Sequence, residues 1–118
     1  MLTLAEVLQD AADSPGFENV GAVDVGTIGS EGQTPLHWMA VLGDVPAIHL
    51  LVNAGANVDA QDAHGDTALH EALKLHHIPA ARALLENGAR SDLRNKQGLS
   101  PADLGGSSLE EITRRHRE

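Results

Sequence analysis

The chain has 118 residues with one Trp, one Phe, no Tyr and no Cys, which suits one domain built of interlocking helices and excludes disulfides and thiolate metal sites. Its net charge of −9 is unevenly spread: residues 1–73 hold eleven Asp and Glu and no Lys or Arg, whereas residues 74–118 carry a charge of +2. Such an acidic field repels nucleic acid and anionic membrane and favours encounter with a basic partner, although acidic surfaces also serve solubility alone.

Taken in chain order, "TLAEVLQDAADS" (residues 3–14) places Leu4, Val7, Leu8 and Ala11 at spacings of three and four, which predicts a helix with one apolar face. The start of the chain lacks the basic region and continuous apolar run of a signal peptide, and no stretch of about 18 apolar residues occurs anywhere, so a soluble cytoplasmic protein is expected. Ser14-Pro15 reads as the start of a short second helix in "SPGFENVG", because Pro loses nothing at a first helical turn. "VDVGTIGSEG" follows as a glycine-rich turn.

From there a period governs the chain. Gly32, Gly65 and Gly98 are 33 residues apart, and each opens a related phrase: "GQTPLH", "GDTALH" and "GLSPAD". Residues 32–64 set over residues 65–97 without a gap share eleven identities, among them the Thr-x-Leu-His core, two "PA" and two "GA" pairs. These phrases, "TPLHWMA" and "TALHEA", each followed at the same distance by "LLVNAGANVDAQDAHG" and "LLENGARSDLRNKQG", resemble the ankyrin repeat family, whose 33-residue unit is a β-turn plus two helices. The resemblance implies an all-α solenoid of helix-turn-helix units with β-turn finger connections. It divides the chain into a degenerate N-terminal capping unit (residues 1–28), two full units (29–61 and 62–94) and a truncated C-terminal capping unit (95–118). In that last unit a helix is expected from Ser107 or Ser108.

Local chemistry agrees with this division. Thr34 and Thr67 are natural N-caps for the first helix of each unit, and Pro35 fits directly behind the first of them. Pro46 and Pro79 mark the second helices, with Asp44 and His77 in capping position before them. Gly55 and Gly88 suit left-handed residues that end those helices, and Leu36, Leu50, Leu51, Leu69, Leu84 and Leu85 supply the faces that neighbouring units bury.

The histidines invite a chemical reading. His37 and His70 hold the same phase of the period, and the resemblance implies a structural role for each ring: a bond to the Thr of its own motif and one to the backbone of the neighbouring turn. Helix spacing of about 8–10 Å fits this better than a shared zinc, which needs ligand atoms about 2 Å away. "HEALKLHH" lacks the i, i+4 pair of a zincin helix, and His76 and His77 fall in the turn between two helices. No Ser lies in a nucleophile elbow, and the glycines of "VGTIGSEG" lack the Lys-Ser/Thr of a phosphate loop. "TRRHRE" at the chain end is basic but has no stacking aromatics. No catalysis and no cofactor are therefore expected.

Family members usually meet partners along the concave surface made by turn tips and first helices. Carried over position by position, the tips are Ile28, Ser30, Glu31 and Gln33, then Ala63, His64 and Asp66, then Lys96, Gln97 and Leu99. The helix positions behind them are Trp38 and Val41 in one unit and Glu71 and Lys74 in the next. Trp38 admits two roles, packing between units or contacting a partner. The resulting expectation is a non-enzymatic protein-interaction module, monomeric until it takes a basic partner in an acidic groove, as an inhibitor or immunity-type protein. The competing reading is a metal-responsive or ligand-binding protein that uses a cluster of His64, His70, His76 and His77.

Overall fold

The computed structural model describes residues 2–13, 16, 17 and 24–104. Among these residues five helices follow one another: α1 (Leu4–Ala12), α2 (Pro35–Leu42), α3 (Val45–Asn53), α4 (Ala68–Lys74) and α5 (Ile78–Glu86), with a further helical turn at residues 101–104. No strand occurs among the described residues. The second helix expected after Ser14-Pro15 and the helix expected from Ser107 or Ser108 lie outside them.

Helices α1 to α4 start where the sequence supplies an acceptor for the orphan amides of a first turn. Thr3 accepts from the Glu6 amide, Thr34 from that of His37, Asp44 from that of Ala47 and Thr67 from that of His70. His77 departs from the expected pattern. It makes no side-chain cap for α5; its Nε2 instead bonds the Val41 carbonyl at 3.0 Å. Val41 lies in the last turn of α2, whose carbonyls have no helical partner, so an imidazole donor is better used there than at a helix start that needs an acceptor. The two second helices end alike: the Gly55 and Ala56 amides bond the Val52 and Leu51 carbonyls, and the Gly88 and Ala89 amides those of Leu85 and Leu84. This pair of hydrogen bonds closes a helix through a left-handed residue, with φ of 102° at Gly55 and 91° at Gly88.

The helices stack in two layers. First helices α2 and α4 pack on one another, second helices α3 and α5 do the same, each unit closes on itself through α2–α3 and α4–α5, and α1 covers the open end against α2 and α3. Leu36, Met39, Ile48, Leu51, Leu69 and Leu84 are fully buried between these layers. Val7 and Ala11 join them from α1, as the apolar face of that helix requires, while Leu4, Leu8, Leu50 and Leu85 pack at the edge. No unit buries its apolar face alone, so stability resides in the contacts between units.

Three turns carry the stack on one side, and they share one design. The Gly29, Asp62 and Asn95 amides bond the carbonyls of Gln33, Asp66 and Leu99 respectively, four residues on. Each finger then pairs with the next through its backbone, the Ala63 amide donating to Glu31 at 2.8 Å and the Lys96 amide to His64 at 2.9 Å.

Candidate functional site

Two adjoining clefts open where the fingers meet the first helices. One, about 340 Å³, is lined by His64, Asp66, Glu71, Lys74, Asn95, Lys96 and Gln97. The other, about 170 Å³, is lined by Glu31, Gln33, His37, Trp38, Val41, Asp62 and Glu71. Glu71, on α4, belongs to both. The structure thus gathers most of the residues singled out at the tips and on the first helices onto one face. Ser30, Ala63 and Leu99 stand on the fingers outside the clefts, exposed to solvent, and so does Ile28.

Asp66 has a different character from the other tip residues. It is only 3% exposed. One carboxylate oxygen accepts from Lys74 Nζ, and the other accepts from Asn95 Nδ2 at 2.9 Å. Burial pushes its carboxyl up, but the hydrogen bonds from Lys74 and Asn95 and the charge of Lys74 together outweigh that and hold it below the ordinary carboxylate range. Asp66 is therefore a buried anchor that orients Lys74 along the cleft rather than a free contact.

Asp62 and Asn95 were not singled out from the sequence, yet they shape the fingers. Asp62 Oδ1 accepts from the amides of His64 and Asp66, and Asn95 Oδ1 does the same for Gln97 and Leu99. Their spacing of 33 residues, each three residues before a repeating glycine, is the signal that marks them. Gly29 holds the equivalent place in the first finger, and there Gln33 Oε1 takes the Glu31 amide instead.

The carboxylates crowd together. Oxygen atoms of Asp62, Asp66 and Glu71 lie within 4.8 Å of one another. Lys74 is the cation among them, bonded to Asp66 and 3.9 Å from Glu71. Burial, reinforced by the charges of Asp66 and Asp62 and only partly relieved by Lys74, raises the Glu71 carboxyl above its ordinary value. An acid weakened by folding loses stability when it ionises: the cost is absent below the unfolded pKa and complete once the pH has risen through the folded one. Replacing Glu71 with Gln should accordingly raise the melting temperature at pH 7 and leave it nearly unchanged near pH 3. Calorimetry at the two pH values reads the difference, and an equal effect at both would remove the electrostatic explanation.

The histidines divide by role. Thr34 N–H donates to His37 Nδ1 at 3.1 Å, and His37 Nε2 donates to the Asp66 carbonyl at 2.8 Å in the next unit. His70 repeats this with Thr67 at 3.0 Å and the Leu99 carbonyl at 3.0 Å. An acceptor role at Nδ1 fixes the hydrogen on Nε2. The structural reading of both rings therefore describes their geometry, and the proposed cluster of His64, His70, His76 and His77 does not assemble. The ring nitrogens of His70 are taken on both sides, His77 is committed to Val41, and among the described residues the ligand-bearing groups that converge are the three carboxylates, with no histidine.

Trp38 is half-buried, resting on the core while part of its indole borders the smaller cleft. Of the two roles foreseen for it, packing describes its geometry, and its place beside the cleft leaves it accessible to a partner.

A stack of paired helices joined by fingers, held by Thr-x-x-His caps that reach into the following unit, defines a helical repeat protein. Residues 5–95 match the family model for ankyrin repeats, in three copies, and the chain belongs to the ankyrin repeat family. No curated protein matches it at a significant level. Ankyrin repeats generally mediate protein–protein interaction and are typically non-enzymatic. No described helix is long and apolar enough to cross a membrane.

Proposed function

We propose that this ankyrin stack binds a basic partner protein on the face formed by its fingers and first helices. Glu31, Gln33, Trp38, Val41, His64, Glu71, Lys74, Lys96 and Gln97 line the contact, and Ser30, Ala63 and Leu99 form its rim. The observation that carries the reading is the charge of this face: three carboxylates lie within 4.8 Å of one another, with the ammonium of Lys74 already bonded to one of them. Bringing a cationic surface there relieves like-charge repulsion that the free protein must bear, and it speeds association at low salt. A small acidic protein of this kind acts by occupying a surface, and the specific role that suits it is that of an inhibitor or immunity-type partner blocking a basic cleft of a toxin or enzyme. It is taken to be a monomer before it binds, working in the cytoplasm.

Affinity capture tests the face directly. The wild-type protein should retain a basic protein at low salt and release it as salt is raised, and Trp38→Ala combined with Glu71→Lys should abolish retention by a variant that still unfolds cooperatively, at a lower melting temperature because Trp38 also packs on the core. Retention of the same protein by the double variant would refute the assignment of the face.

A further inference from the structure

The smaller cleft is more selective than a charged face alone would need to be. Its lining sets the apolar side chains of Trp38 and Val41 beside the carboxylate residues Glu31, Asp62 and Glu71, with Gln33 and His37 completing it. Those three have acceptor capacity left over. Among the described residues, Glu31 and Glu71 accept no side-chain hydrogen bond, Asp62 uses Oδ1 for two backbone amides, and the ammonium nearest to Glu71 is committed to Asp66. An indole surface next to several unfilled carboxylate oxygens suits a flat, delocalised cation with several hydrogen-bond donors and an aliphatic stem.

We infer that this cleft receives one arginine side chain of the partner, its guanidinium against the Trp38 indole and within reach of Glu31, Asp62 and Glu71, its stem along Val41. The inference rests on the protein-binding reading above and names the group that reading would recognise. Guanidinium is favoured over ammonium for three reasons: it is weakly hydrated, it stacks on aromatic faces, and its fork of N–H donors serves two carboxylates at once. The raised pKa of Glu71 points the same way, since a carboxylate that is costly to ionise gains most from an incoming cation. The larger cleft is unlike it, because Lys74 and Lys96 bring positive charge there.

Trp38 is the only tryptophan in the chain, so intrinsic fluorescence reports on this cleft alone. The probes are three blocked glycine pentapeptides whose central residue is arginine, lysine or citrulline, titrated into the full chain at low salt, with amide chemical shifts recorded in parallel. The arginine peptide should give a saturable change centred on Trp38, Glu71 and Asp62, bind about threefold or more tighter than the lysine peptide, and leave the uncharged citrulline peptide without saturation. Glu71→Gln, which keeps the reporter, should weaken the arginine peptide by a similar factor, and Trp38→Leu followed by amide shifts should do the same. Equal binding of arginine and lysine, shifts centred on Lys74 and Lys96, or indifference to Glu71→Gln would overturn the arginine pocket. If those failures occur while Trp38→Ala with Glu71→Lys still abolishes protein capture, the pocket is rejected and the binding face stands. Arginine preference with capture unaffected by that double variant rejects the face as the site of protein capture and leaves the pocket.

Discussion

Replacing His70 with alanine is expected to destabilise the protein by about 3–5 kcal/mol, enough to unfold a marginal domain. The ring is wholly buried. Its loss leaves a cavity, strips the buried Thr67 amide of its acceptor, and removes the bond to the Leu99 carbonyl in the next unit, which keeps the one from the Asn95 amide. The internal control is Asp103, which holds the same phase in the third unit. Its Oδ2 accepts from the Ser100 amide at 2.9 Å and from the Ser100 hydroxyl, so it caps a helical turn as the His does. A carboxylate has no distal N–H donor to reach onward, so Asp103→Ala should cost clearly less than His70→Ala, the loss of a capping contact alone. Urea denaturation of both variants separates the two contributions: if His70→Ala costs no more than Asp103→Ala, the bond between units contributes nothing and the ring is only a cap.

The same comparison shows what was legible in the sequence. The 33-residue period, the Thr caps and the paired histidines follow from identities at fixed phase, because a solenoid imposes on each unit the surroundings of the last. Side chains that differ between units at one phase are where such reasoning fails. Asp44 and His77 sit at equivalent places, yet the carboxylate caps its own helix while the imidazole turns back to a carbonyl of the preceding unit. Phase predicts where a side chain starts, and donor or acceptor character decides where it goes. Asp66 is another instance. Its place on a fingertip suggested exposure, but Lys74, eight residues on and across the start of α4, folds back over it, and no linear pattern announces that contact. Trp38 was already a candidate contact in the sequence, whereas the carboxylates that line the cleft with it come from three segments that only the stacked units bring together.

The fingers also make a second large effect measurable. Gly65 and Gly98 have nearly the same backbone, φ of 77° and 79°, so an alanine at either position meets the same left-handed penalty of about 1–2 kcal/mol. Their surroundings differ. A Cβ on Gly65 would lie 2.9 Å from both the Asn95 Cα and the Lys96 backbone nitrogen of the next finger, whereas one on Gly98 meets nothing within 4 Å. Backbone cannot swing aside as a flexible side chain can, so the fingers must part. Parting them strains the Lys96 amide bond to His64 and the Asn95 bond that helps hold Asp66. Gly98→Ala should therefore cost about 1–2 kcal/mol and Gly65→Ala about 3 kcal/mol or more. Gly65→Ala should in addition move the amide resonances of Asn95, Lys96 and Lys74, because the finger contact positions the anchor of the larger cleft. Equal losses for the two variants would mean that the close approach of the fingers carries no stability and that helix packing alone holds the units in register. Unequal losses without any shift at Lys74 would confine the effect to the fingers and separate the stability of the stack from the geometry of its binding face.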